Sequence, residues 1–460
     1  MKKLSPHAAW ILAVTAVLFV AAALFRPLLP IDETRYMTVA WEMYLNHGWL
    51  SPLTMNFEPY HHKPPMLFWL INLFWSVFGP GRWSGLIPVF LASTSVVLLT
   101  IAFIRRMMPD GKTDPLKISF LVMGGVPFLA YSTLMMFDLM LTAFILASLL
   151  CLLAYARHRK FRYMFLMGLF LSLGVLTKGP VAYLHVIFPM LLAPLWVPDF
   201  KKPVAWYGDS FAAIAISVFP VALWLVPVLT QSTGNFAFWL LWEQTAGRVT
   251  GNFNDAHIRP FYFYLPLLPF LLAPWIFFPA FWKNLKILKT PCPQTKFLAC
   301  WIVPVFISFC LISGKQPHYL LPLMPGLVLA LYMLVGNVQI STLRNTALAL
   351  AALVIAGQAS ASASFFKSYD LRPIARYVHE HQDHPWAFVR NYHGELGFLA
   401  GLTKPVTDRQ FDEIDGWFSD HPDGYAVIRY KSAAEVAKYE ELFSQPYRGK
   451  SLGVFRLRKD

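Results

Sequence analysis

The chain has 460 residues, 57% of them hydrophobic and 14% charged, with a mean hydropathy of +0.49. A soluble globular protein carries about 25% charged residues, so the composition excludes that class and indicates a polytopic membrane protein. The net charge of +14 would suggest a nucleic-acid partner in a soluble chain. Here Lys and Arg gather in short loops beside apolar runs, the positive-inside pattern of a membrane protein, and no nucleic acid is expected.

In chain order, Met1-Lys2-Lys3 precedes an apolar run over 8–26. The run exceeds the roughly 7–15-residue core of a signal peptide and no small-x-small cleavage site follows it. It is therefore expected as an uncleaved first span with a cytoplasmic N-terminus. A span needs about 20 apolar residues. Further spans are expected at 84–104, 117–134, 138–156, 161–177, 180–197, 208–230, 261–282, 296–313, 317–336 and 343–362. The run 64–79 is short and is expected to lie beside the membrane. Arg105-Arg106, the run 157–160, Lys201-Lys202 and Lys283, Lys286 and Lys289 mark cytoplasmic loops. That alternation puts 27–63, the Asp138 region, the Lys178 and Lys315 turns, 231–260 and everything after 363 on the outer side.

From Phe366 charges become frequent and long apolar runs stop. WAFVRNY, GYAVIRY and SLGVFRL predict strands, and RPIARYVHEH, FDEIDGWF and SAAEVAKYEELF predict helices. The expected fold is an all-α membrane domain over 1–362, with a small soluble α/β domain over 363–460. The four cysteines show no zinc-site spacing and predict neither a disulfide framework nor a cysteine metal site.

The densest polar cluster directly follows the first span, in LPIDETRYMTVAWEMYLNHGWLSPLTMNFEPYHHKPP at 29–65. This loop is far longer than a hairpin needs, and long loops in compact proteins are functional or disordered. Asp32 and Glu33 sit behind the chain-breaking Pro30, with Arg35 and Tyr36 following. WEMYLNHGW predicts a short amphipathic helix in the interface. His61-His62 could supply one metal ligand to a given site, since adjacent side chains point different ways; interfacial histidines are the bland alternative. Lys63 before Pro64-Pro65 is a stiffly held cation suited to phosphate. Asp138, at the start of an apolar run, is a candidate functional carboxylate or a first-turn aspartate favoured by the helix dipole. Lys178 in LTKGP, Arg248 in WEQTAGRVTG and Lys315 in SGKQPHYLLP violate the positive-inside rule on the outer side. Such cations call for an anionic partner there, for which a lipid phosphate is the obvious candidate.

The ordered set DETRY (32–36), KPP (63–65), Asp138, LTKGP (176–180), WEQTAGRVTG (242–251), HIRPFYFYLPLLP (257–269) and SGKQPHYLLPLMP (313–325) resembles the bacterial GT-C glycosyltransferases of the protein-mannosyltransferase superfamily, above all the lipid A aminoarabinose transferases. GELGFLAG at 394–401 is also similar. The resemblance implies a GT-C fold of about 11–13 transmembrane helices in the bacterial inner membrane, with the C-terminal domain periplasmic. It implies transfer of a sugar from an undecaprenyl-phosphate donor to a lipid A-like glycolipid, with protein or another envelope glycan as other acceptors. Carried over, Asp32 is the principal catalytic carboxylate of the first periplasmic loop and Asp138 the second. Lys63, Lys178, Arg248 and Lys315 hold the donor phosphate. Glu33, Arg35, Tyr36, Glu243, His257, His318 and Tyr319 are supporting residues. Where these enzymes carry Glu-Lys-Pro, this chain has His62-Lys63-Pro64, so a divalent metal, with His62 as its candidate ligand, stays open. The rival class is a transporter or flippase for an anionic lipid-linked sugar, although no internal repeat of the transporter kind is visible.

Overall fold

In the computed structural model of the protein, the described residues are 6–109, 113–232, 234–240, 242, 247 and 257–458. Met1-Lys2-Lys3, Glu243 and Arg248 lie outside them.

The chain opens with α1 (Pro6–Phe25), then α2 (Asp32–Asn46), a small antiparallel hairpin of β1 (Thr54–Met55) and β2 (Glu58–Pro59), and α3 (Met66–Phe78). Next come α4 (Arg82–Met107), α5 (Pro115–Met123), α6 (Val126–Tyr131), α7 (Asp138–His158) and α8 (Arg162–Lys178). They are followed by α9 (Val181–Leu191), α10 (Ala193–Trp196), α11 (Pro203–Gln231), α12 (Pro293–Leu311), α13 (Met324–Val335) and α14 (Ile340–Ser362). Among the described residues, seven helices are long and apolar enough to cross a membrane: His7–Phe25, α4, α7, α11, α12, Pro317–Val335 and α14. The protein is a multi-pass membrane protein. At 13 residues, α3 is about 20 Å long at 1.5 Å per residue, too short for a hydrocarbon core of about 30 Å.

Several of the expected spans are broken, and local chemistry explains each break. The run 117–134 divides at Gly124-Gly125 into α5 and α6, and the amide of Val126 finds the carbonyl of Ala273 at 3.0 Å. The run 180–197 divides after Pro189, and its freed carbonyls are covered by side chains. Trp196 Nε1 donates to Pro189 O at 2.8 Å, Trp206 Nε1 to Met190 O at 3.0 Å and Tyr207 Oη to Leu191 O at 3.0 Å. Backbone groups at membrane depth need such replacement partners. Over 261–282, Pro266, Pro269, Pro274 and Pro279 leave only short turns: Phe261–Leu267, Leu268–Leu272, Trp275–Phe277 and Pro279–Lys283.

The contacts group the chain into two compact units. The first comprises Met1–Phe19, His61–Leu67 and Ile87–Val354. Its most enclosed helix is α7, buried on nearly all sides, as its apolar circumference requires. α8 packs closely on α11: a Cβ on Gly168 would stand 2.5 Å from the carbonyl of Ala213, so only glycine permits this approach.

The second unit comprises Val20–Tyr60, Phe68–Leu86 and Ile355–Asp460. Its sheet contains β3 (Trp386–Val389), β4 (Thr407–Arg409), β5 (Tyr425–Tyr430), β6 (Tyr439–Tyr447) and β7 (Lys450–Leu457), in the order β4-β3-β5-β7-β6. β3 is parallel to β4 and β5; β7 is antiparallel to β5 and β6. Side chains alternate across the strands. Trp386, Phe388 and Val427 meet Ile374 and Val378 of α15 (Arg372–Glu380) on one face. Ala387, Val389 and Ile428 meet Trp417 and Phe418 of α17 (Ile414–Asp420) on the other. Between these helices in sequence lies the single-turn α16 (Gly397–Ala400).

The three expected strands and the helices at 372–380 and 414–420 are present. The helix expected over SAAEVAKYEELF is not: Ala433–Val436 is a 3-10 turn and Tyr439–Tyr447 is strand β6. Its pairing with β7, through a turn with positive φ at Arg448 and Gly449, overrides the helical pattern. Tyr439 then packs against Phe418 and Phe455 in the core, a placement that depends on contacts distant in sequence.

Candidate active site

In the second unit, α2 begins at Asp32 itself rather than at the expected 41–49 stretch, and it ends at a left-handed His47. The adjacent carboxylates take opposite environments. Asp32 is exposed, its side chain 55% accessible; Arg35 Nη2 donates to its Oδ1 at 2.5 Å and Tyr36 Oη at 3.3 Å. Both donors lie one turn along the helix, on the face of Asp32. Burial works against the Arg35 charge, but Tyr60, Tyr36 and Asp32 outweigh it and hold the guanidinium more firmly protonated than usual.

Glu33 is buried and takes no exposed position beside Asp32. Its Oε2 meets Arg26 Nη1, its Oε1 accepts from Arg26 Nη2 at 3.1 Å, and the amide of Leu29 donates to Oε2 at 2.8 Å. Arg82 donates to the carbonyls of Ala23 at 2.9 Å and of Arg26. These groups fix the turn between α1 and α2, and Glu33 anchors it. Glu42 accepts the amides of Asn56 at 2.6 Å and Phe57 at 2.8 Å, which fastens the β1–β2 turn to α2. Burial raises the Glu42 carboxyl above its ordinary value.

The GELGFLAG segment lies directly on this helix. Thr38 Oγ1 donates to Gly394 O at 2.7 Å and accepts from the Phe398 amide at 3.0 Å. Trp41 Nε1 donates to Leu402 O at 2.8 Å, and Phe398 stacks on Trp75 with centroids 5.3 Å apart. The sequence pattern did not single out Arg26, Thr38 or Arg82.

In the first unit, Asp138 and Lys178 come together. Lys178 Nζ, from the last residue of α8, donates to Asp138 Oδ1 in the first turn of α7. Asp138 is 1% exposed. Each charge suits its helix end, acidic at the N-terminus and basic at the C-terminus. Lys178 also lies 4.6 Å from the Tyr319 ring centroid, and His318 stands edge-on to Tyr319 at 5.0 Å. Asp138, Lys178, His318 and Tyr319 thus form one cluster.

Lys315 is 3% exposed and donates to Arg259 O at 3.0 Å and to Ile312 O. Its own amide donates to His257 O at 3.2 Å, beside an antiparallel bridge between Ile258 and Gly314. His257 itself is exposed. Lys315 therefore ties two turns together, while Arg259 is the exposed cation of that junction. Its signal in the sequence is an Arg within 231–260, a stretch expected on the outer side. His61 and His62 stack at 4.4 Å, with Trp239 5.4 Å from His61 and Lys63 next in sequence.

No group of three or more His, Cys, Asp or Glu side chains suited to a metal occurs among the described residues. His62 stacks on His61.

Residues 62–224 match the family of dolichyl-phosphate-mannose-protein mannosyltransferases. Over 97% of its length the chain superposes on 97% of ArnT from Cupriavidus metallidurans bound to undecaprenyl phosphate, with a TM-score of 0.74 and 16% identity. The protein has the GT-C fold. The GT-C chain is also similar in sequence to an undecaprenyl phosphate-alpha-4-amino-4-deoxy-L-arabinose arabinosyl transferase of Pseudomonas fluorescens, 29% identical over 65% of this chain and 54% of that protein. The counterpart from Proteus mirabilis is 25% identical over 68% of this chain and 57% of its own length. The chain thus spans about half the length of the curated relatives it matches.

Proposed function

We propose that the protein is an inverting glycosyltransferase that moves a 4-amino-4-deoxy-arabinose-like sugar from undecaprenyl phosphate to a lipid A-like glycolipid. The reaction takes place at the periplasmic face of the bacterial inner membrane, with the N-terminus cytoplasmic and the domain after 362 periplasmic. The observation that carries this reading is the exposed Asp32 carboxylate held by Arg35 and Tyr36 beside the buried, structural Glu33. The sugar and carrier are those named for the similar transferases.

The acceptor oxygen attacks the anomeric carbon as its bond to the carrier phosphate breaks, and undecaprenyl phosphate leaves with the bonding electrons. Cations stabilise the negative charge that develops on the leaving phosphate. Lys63, Lys178, Arg259 and Arg248 are assigned to it. Lys315 is assigned the position of Arg259, since its ammonium is occupied by carbonyls. Asp138 is assigned to fix Lys178. If the acceptor is a hydroxyl, Asp32 takes its proton. If it is a phosphate, no proton moves and Asp32 orients the acceptor and offsets positive charge at the anomeric carbon.

Mass spectrometry of lipid A from cells with and without the gene tests the acceptor. The expected result is an aminopentose mass increment that depends on the gene. Unchanged lipid A with a change in another envelope glycan would move the assignment to that acceptor.

A further inference from the structure

The carboxyl end of the C-terminal sheet gathers cations that no step above uses. The links leaving its parallel strands diverge. The segment after β3 packs through Leu396, Ala400 and Leu402 on the α15 face. Those after β4 and β5 pack through Ile414, Trp417 and Val436 on the α17 face. In open α/β sheets, ligands bind outside the carboxyl ends of strands whose connections part in this way.

The pairing register brings the cations to that end. Val389 faces Ile428, so Arg390 and Arg429 follow side by side on β3 and β5. Tyr430 faces Ser451, so Lys431 and Lys450 are neighbours across β5 and β7. Arg448 lies in the β6–β7 turn, where its carbonyl accepts Arg429 Nη2 at 3.4 Å. With strands about 4.8 Å apart, the three strands that carry these charges span about 10 Å. Arg390 and Asn391 both take positive φ, 74° and 63°, a strained backbone of the kind kept at functional sites. Arg390 lies over the Phe411 ring, 5.0 Å from its centroid.

The carboxylates at this end are turned to backbone amides. Asp408 accepts from Tyr392 at 3.1 Å, Glu395 from His393 at 2.7 Å, Glu413 from Gln410 at 3.0 Å and Glu435 from Lys431 at 3.2 Å. Among the described residues none of the five cations forms an ion pair. Arg390, Lys431 and Arg448 are exposed, while Arg429 Nε is buried with no hydrogen-bond partner among the described residues. Desolvation, then the charges of Arg429, Lys431 and Arg390, hold the Lys450 ammonium below its ordinary value against the opposing pull of Glu435. Guanidinium forks and ammonium groups so arranged match a phosphate.

We propose that this end of the sheet is a phosphate site for the head group of the acceptor glycolipid, separate from the cations assigned to the leaving phosphate. The proposal rests on the lipid A-like acceptor proposed above. Four residues, at most about 14 Å of extended chain, separate Arg390 from Gly394, whose carbonyl accepts from Thr38 of α2. The site therefore adjoins the helix that begins at Asp32.

The test titrates the full chain in neutral detergent micelles with lipid A, with phosphatidylglycerol and with inorganic phosphate, read by thermophoresis. The triple variant Arg390→Gln, Lys431→Gln, Lys450→Gln is expected to bind lipid A about tenfold more weakly or worse, because charge-assisted bonds to phosphate are lost. Its KM for lipid A in the transfer assay should rise in step. If the triple variant fails to fold, Arg390→Gln alone, at an exposed position, should weaken lipid A binding in the same direction. Wild-type affinity for lipid A in a variant with an unchanged melting curve would overturn the site, and would leave the acceptor reading standing if lipid A is still modified. Binding of phosphatidylglycerol as tight as that of lipid A would make it a bilayer contact instead. Displacement of lipid A by equimolar inorganic phosphate would make it a free-phosphate site. Lipid A that binds through these cations yet receives no sugar would overturn the acceptor reading and leave the site.

Discussion

Lys178 at the end of α8 reaches Asp138 at the start of α7, and the pair is nearly enclosed: the side chains are 12% and 2% accessible. Removing one partner of such a pair leaves an uncompensated buried charge, at a cost of about 3–5 kcal/mol. Asp138→Asn and Lys178→Met are each expected to lower the thermal midpoint in detergent. The double variant should lose less than the sum, since contacting residues are coupled. Additive losses would show that the two charges stabilise the bundle independently.

Asp32 and Glu33 adjoin in sequence but differ in consequence. Asp32 is exposed and Glu33 is locked to Arg26 and the Leu29 amide. Asp32→Asn is expected to remove most turnover while leaving the melting curve unchanged. Glu33→Gln is expected to lower stability first, because it strands the buried Arg26 guanidinium. Comparing initial rates and thermal midpoints of the two variants checks this. Equal effects on both readouts would contradict the division of roles.

Gly397→Ala introduces a Cβ 2.3 Å from Thr38 Cγ2 and 2.8 Å from its Oγ1. The segment must then lift from α2, which breaks the Thr38 bonds and leaves buried polar groups unmade, each at about 1–3 kcal/mol. Limited proteolysis should cut this variant faster than wild type between 390 and 404. A wild-type cleavage pattern would show that the helix accommodates the methyl group.

The buried Glu395 makes stability depend on pH. Its carboxyl is raised to about 7 by burial, against an ordinary glutamate value near 4.3. The folded state therefore binds the extra proton, and this contribution is complete below the ordinary value and lost as pH rises through about 7. The thermal midpoint is expected to fall between about pH 5 and 8, and Glu395→Gln should flatten that slope. An unchanged slope would mean that Glu395 does not govern it.

Much of this structure is legible in the sequence, because apolar length and Lys/Arg placement report directly on membrane helices. The β3, β5 and β7 strands and the helices at 372–380 and 414–420 follow from local periodicity. β6 does not, because its conformation comes from pairing with β7. The interruptions at 124–125 and 189–192 carry Gly and Pro signals, but the donors that make them tolerable, Trp196, Trp206 and Tyr207, become visible only in three dimensions. The candidate carboxylates and cations were legible as misplaced charges. Their pairing was not: Asp138 meets Lys178 across 40 residues, and Thr38 meets Gly394 across 356. Glu33 looks equivalent to Asp32 until Arg26 claims it.

The proposed cleavage of a polyprenyl-phosphate sugar centres on Asp32. Purified protein with labelled undecaprenyl-phosphate-linked aminoarabinose and lipid A tests it directly, with free undecaprenyl phosphate measured against time. Release is expected to require the acceptor and to fall to near background in Asp32→Asn. Wild-type release by Asp32→Asn, or movement of intact donor across the bilayer without cleavage, would contradict it.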